Sequence, residues 1–151
     1  MWRSSGLAAG ALFGLACATA PQGSVGAAYK SSCMGMVTVD FEAEYSASAI
    51  AGRTVVGDHD EFESLPNVQV AARSVSTKRV VFVVSDSKGR FALPRLEPGR
   101  YEVSTCLDGF DAAEFAVQVS DTARPGTFLL FLPASESGSG IIDVRYVESE
   151  R

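Results

Sequence analysis

Ser85-Asp86-Ser87-Lys88-Gly89-Arg90-Phe91, followed closely by Leu96-Glu97-Pro98-Gly99-Arg100-Tyr101, is the stretch that decides how this chain folds. Asp86 can cap a tight turn through its carboxylate, and Gly89 supplies the positive φ that such a turn needs. Upstream, residues 79–84 are strongly β-branched, and residues 90–93 follow the turn, so the segment reads as a hairpin. Pro98-Gly99 turns the chain sharply into a further strand at residues 101–106.

Working outward, period-two alternation dominates and helical periodicity is absent. Val37, Val39, Phe41, Ala43 and Tyr45 alternate with Thr38, Asp40, Glu42 and Glu44. Further strands are expected at residues 50–56, 68–72, 113–119, 127–132 and 142–146. Leu65-Pro66-Asn67 and Asp108-Gly109 punctuate the joints, and residues 135–140 form a flexible Ser/Gly connector. Short strands at near-regular spacing predict an all-β, antiparallel sandwich with few or no helices. Phe91, Tyr101, Val103 and Phe110 are its expected inward pegs. Alternation from Tyr101 and Val103 turns Cys106 to the outer side.

The ordered pieces resemble the carboxypeptidase regulatory-like domain, a transthyretin-like (prealbumin-like) sandwich. Ile50-Ala51-Gly52-Arg53-Thr54-Val55 matches that family's opening strand, and Leu65-Pro66-Asn67-Val68-Gln69-Val70 its second element. The hairpin and Pro-Gly segments quoted above are the most specific match, and Gly109-Phe110 closes it. The resemblance covers residues 50–132 and implies about seven strands, to which residues 37–45 and 141–147 would add one or two, extending one sheet at its edge. Two departures stand out. Asn67 occupies a position where the family has Gly, and the acidic insert Asp58-His59-Asp60-Glu61-Phe62-Glu63 replaces a short turn.

The N-terminus has another character. Met1-Trp2-Arg3 is followed by residues 6–16 without a charge, the length of a secretory apolar region and too short to span a bilayer. Gly14-Leu15-Ala16-Cys17 resembles the lipobox of bacterial lipoproteins, although Gly14 departs from the usual Leu. The expected organisation is a signal peptide at 1–16, a lipid-bearing Cys17, a flexible tether at 17–32, the sandwich at 33–147 and a tail at 148–151. Ordinary cleavage after Ala20 or near Ala27 is the alternative and would release a secreted protein. With Cys17 set aside, Cys33 and Cys106 remain, and an oxidising compartment favours a disulfide between them.

The chemistry the sequence offers is sparse. Hydrophobic residues make up 46% and charged residues 21%, a composition that folds. A net charge of -5 and scattered basic residues exclude nucleic acid as an expected partner. The single His59 is too few for a His-rich zinc centre, and no nucleophile elbow or phosphate loop accompanies it. No catalytic residue and no cofactor are therefore expected. Asp58, Asp60, Glu61 and Glu63 are weak calcium candidates, because carboxylates cluster there without the spacing of a calcium loop. Tyr29, Tyr45 and Tyr146 are the aromatics that could serve a carbohydrate-binding module, since Tyr101 reads as core and Trp2 leaves with the signal. The leading expectation is a non-catalytic scaffold or protein-interaction module at the cell envelope. Its partners would be the membrane, through the lipid, and another envelope protein or a glycan. Function would lie in the departures from the family pattern: the insert, the extra strands and the tether.

Overall fold

A computed structural model of the chain describes residues 29–30, 44–136 and 142–150. Ten strands follow in order: β1 (Glu44–Ala47), β2 (Ala51–Gly57), β3 (Phe62–Ser64), β4 (Gln69–Ser74), β5 (Val80–Val84), β6 (Arg90–Ala92), β7 (Gly99–Cys106), β8 (Glu114–Val119), β9 (Gly126–Phe131) and β10 (Asp143–Glu148). One sheet has the order β1-β8-β7-β4-β5, and the other β10-β9-β2-β3, with β6 also on β2. The expected all-β sandwich is what the described residues form.

The decisive hairpin takes the geometry its residues dictate. Gly89 has φ 71° and its N–H donates to the Asp86 carbonyl at 2.9 Å. The Asp86 carboxylate accepts from the N–H groups of Lys88 and Arg90, both at 2.9 Å. These bonds hold its carboxyl below the usual value. The Gly89 carbonyl then accepts from Thr54 N–H of β2 at 2.8 Å, which stitches the hairpin to the other sheet. Thr54 is fully buried, and its hydroxyl donates to the Leu65 carbonyl at 2.6 Å.

The core lies between the sheets. Phe115, Phe128, Ile50 and Leu130 are essentially inaccessible, and Phe91, Tyr101 and Val103 are buried beside them as alternation requires. Phe110 is only partly buried and packs against this cluster. Each fully buried large side chain contributes about 1.5–3 kcal/mol of hydrophobic stabilisation. No buried side-chain nitrogen or oxygen among the described residues lacks a hydrogen-bond partner.

Three details differ from the expectation. The sheets are mixed, because β1 pairs with β8 and β2 with β9 in parallel. Alternation fixes which face a strand buries and leaves its direction open; here the early strands run beside late ones after long crossovers. Of the two additional strands, residues 37–43 of the expected first one lie outside the described residues; among those described, β1 edges the first sheet and β10 the second. They meet at the same seam, where the Tyr45 hydroxyl donates to the Val144 carbonyl at 2.7 Å. Tyr45 there stands edge-on to both Phe115 and Phe128, with ring centroids 5.8 and 5.6 Å apart. Finally, the acidic insert runs into the short strand β3, paired antiparallel with β2. Three residues are too few for period-two alternation to be seen.

Asn67 explains its own departure from the family. Its φ is 63°, in the left-handed region where the family's Gly is unstrained and where Asn is the best tolerated substitute. Its N–H donates to the Ser85 carbonyl, while Val68 N–H is held by the Ser85 hydroxyl. This local kink leads the chain into β4.

Candidate functional site

The acidic insert does not gather its carboxylates. Asp58, His59, Asp60, Glu61 and Glu63 are all exposed, and the Asp58 N–H closes the turn on the Glu61 carbonyl at 3.0 Å. Among the described residues no group of three or more His, Cys, Asp or Glu side chains is placed to hold a metal ion. The four calcium candidates are spread over the turn and β3, and none forms an ion pair with a described residue.

What the insert does is cover Phe131. This ring sits on the outer face of the second sheet yet is only 3% exposed. His59 stands edge-on to it at 5.0 Å, Phe62 at 5.5 Å, and the Arg145 guanidinium lies 5.4 Å from its centroid. Arg145 Nη2 contacts His59 Nδ1. Arg145 Nε donates to Asp143 at 2.8 Å, and that carboxylate is 3.6 Å from His59. The lone histidine is thus packed and hydrogen-bonded as part of a lid. No Ser, Thr or Cys side chain touches it among the described contacts.

The three tyrosines considered for sugar binding are each engaged. Tyr45 is in the seam described above. Tyr146 packs on Phe128 at 4.8 Å and donates to the Arg124 carbonyl. Tyr29 packs on Phe82 of β5, with centroids 5.3 Å apart. No flat exposed tyrosine platform is assembled from them. Tyr101 is core, as expected, and its hydroxyl donates to the Glu97 carbonyl.

Tyr29 belongs to a short segment laid over the first sheet. Lys30 N–H donates to Gln69 Oε1 at 2.8 Å, Gln69 Nε2 donates back to the Lys30 carbonyl at 3.2 Å, and Lys30 Nζ meets Asp108 at 3.0 Å. Gln69 is register partner to Cys106 across β4 and β7. Cys106 is outside the core cluster, as alternation requires, and is 4% exposed. Cys17, Cys33 and most of the tether lie outside the described residues.

The sheet edges differ sharply in chemistry. β10 carries Asp143, Arg145 and Glu148, and β1, β3 and β6 span four, three and three residues. Charge and shortness are the usual protections of an open edge. β5 has neither: Val80-Val81-Phe82-Val83-Val84 is continuously apolar and exposed or half-buried at every position. Arg79 and Ser85 pair with β4 through the Ser74 N–H and the Val68 carbonyl. Antiparallel alternation therefore aims the backbone of residues 81 and 83 at β4, and that of Val80, Phe82 and Val84 outward. No described strand pairs with that outer side. The sequence marks β5 as a strand but carries no signal for its place at an edge: its described partner is the preceding strand β4, and whether another strand joins its other side is not a property of neighbouring residues.

The model of one protein family, the carboxypeptidase regulatory-like domain, matches residues 49–129. No curated protein sequence matches the chain.

Proposed function

The chain belongs to the carboxypeptidase regulatory-like domain family, and from that premise we propose that it is a non-catalytic interaction module held at the cell envelope. Its binding element is β5, which takes an extended segment of another envelope protein as an added strand. One observation carries this reading: an edge of five apolar residues whose outward backbone groups have no strand partner among the described residues. Backbone hydrogen bonds to such an edge supply affinity, and alternate side chains supply selectivity.

The attachment is part of the same proposal. Cys17 carries the lipid of a bacterial lipoprotein, residues 18–32 are the tether, and a Cys33–Cys106 disulfide fixes the tether to the first sheet. The grip of Gln69 on Lys30 supports that bond. Three residues beyond Lys30 reach at most about 10 Å, and Cys106 is directly across from Gln69. Mass spectrometry of the mature protein tests the attachment: an acylated Cys17 and a Cys33–Cys106 peptide are expected, and an unmodified start near Ala27 overturns the lipid anchor.

Crosslinking in intact cells tests the binding role. Val84→Pro removes an outward N–H while leaving the bonds to β4, and it should abolish the crosslinked species formed by the unaltered chain. A chain found only as free monomer, or crosslinks unchanged in Val84→Pro, would refute strand addition.

A further inference from the structure

Beside the N-terminal end of β5 a cleft of about 270 Å³ opens between the β4–β5 turn and the segment entering β7. Ser76, Thr77 and Arg79 line one side, Arg95 and Leu96 the other, and Val81 of β5 is part of its wall. Arg79 forms no ion pair with a described residue. Among the described residues Arg95 reaches only Asp121, at 3.8 Å, with both side chains largely in solvent, a pair that holds little. The Thr77 hydroxyl accepts from Arg79 N–H and keeps its own proton to donate. Glu97 is the one acidic residue among those lining the cleft, against the two arginines Arg79 and Arg95. This local positive excess sits in a chain of net charge -5.

Resting on the strand-addition reading above, we infer that this cleft receives a carboxylate at the C-terminal end of the segment bound along β5. Direction follows from geometry. A segment added antiparallel to β5 ends where β5 begins, beside Arg79 and the cleft. The opposite end offers no equivalent, because Arg90 there is already paired with Asp86 at 2.9 Å. Guanidinium groups with adjacent hydroxyls match a carboxylate in charge and hydrogen-bond polarity, and the apolar wall of Val81 and Leu96 accepts the aliphatic part of the same residue. The partner is therefore an extended, apolar segment with an acidic residue or a free terminus at its end.

Selection from a random library of ten-residue peptides with free and amidated C-termini, against the full mature chain, tests this. Peptides that bind should be apolar and enriched in acidic or free carboxylate ends. In the double variant Arg79→Gln, Arg95→Gln, whose side chains are exposed, that enrichment should vanish and the selected peptides should bind at least tenfold more weakly. Loss of enrichment for side-chain acids alone, or for free termini alone, identifies which carboxylate is used. Apolar peptides selected without any acidic preference would overturn the cleft while leaving strand addition intact. Binding that survives Val84→Pro would overturn strand addition itself. Sedimentation of the chain alone supplies the last arm: a dimer dissolved by the double variant would make a second copy the occupant and refute the partner proposed.

Discussion

Replacing Gly89 with Ala should be among the most damaging single-methyl additions this fold can receive. Two costs combine. At φ 71° an L-residue is strained by about 1–2 kcal/mol. A Cβ there would also stand 2.4 Å from the Thr54 carbonyl oxygen. That carbonyl cannot withdraw, because it accepts from Leu65 N–H at 2.9 Å and Thr54 N–H is bonded to Gly89 itself. Forcing extra atoms into such a contact costs about 1–3 kcal/mol, so the total is roughly 2–5 kcal/mol. Gly109→Ala provides the control: φ is 85°, but nothing lies within 4 Å of the added carbon, so only the conformational cost of about 1–2 kcal/mol applies. Urea unfolding followed by tyrosine fluorescence measures both. With a slope of about 2 kcal/mol per molar, the midpoint should fall by roughly 0.5–1 M for Gly109→Ala and by a further 0.5–1.5 M for Gly89→Ala. Equal shifts for the two variants would refute the argument that the hairpin is wedged against β2.

Three other outcomes are expected. Asn67→Gly should leave stability within about 0.5 kcal/mol, whereas Asn67→Ala should cost about 1 kcal/mol, since only the left-handed backbone at φ 63° distinguishes them; denaturant midpoints decide. Tyr45→Phe deletes the hydroxyl bond to the Val144 carbonyl and should cost about 1 kcal/mol, with the loss of protection in hydrogen exchange concentrated in β10. Burial raises the phenol pKa of Tyr29, Tyr45, Tyr101 and Tyr146 above 10.0, with Asp143, Glu97 and Glu148 adding for the last three and Arg73 opposing for Tyr29. The unfolded chain then ionises first, so this contribution is intact below pH 10 and is lost as pH rises through the folded-state values. Thermal melts from pH 8 to 11 should show that decline, less steep in Tyr45→Phe, and a flat profile would contradict it.

Local chemistry was enough to place most of the strands. The turn at Asp86–Gly89, the Pro98-Gly99 joint and the alternation of Tyr101 with Val103 are satisfied within a few residues, so they can be read without a partner. The same alternation correctly put Cys106 outside the core cluster. The acidic insert was legible as a departure, but its purpose was not: Phe131, Arg145 and Asp143 are more than 70 residues away in sequence, and only folding brings them to His59.

The sequence by itself determined an all-β sandwich, its turns and the inward pegs Phe91, Tyr101 and Val103, because dihedral preference and period-two burial are properties of neighbouring residues. Tertiary structure alone decided which strands lie side by side, that β1 and β2 run parallel to their late partners, and that β1 and β10 edge different sheets. It alone also decided that the apolar run at β5 lies at the margin of its sheet among the described residues, with a cleft at its end. An apolar strand reads the same whether it lies inside a sheet or on its margin; the difference is the presence of a neighbour, and pairing across long stretches of chain is what determines it.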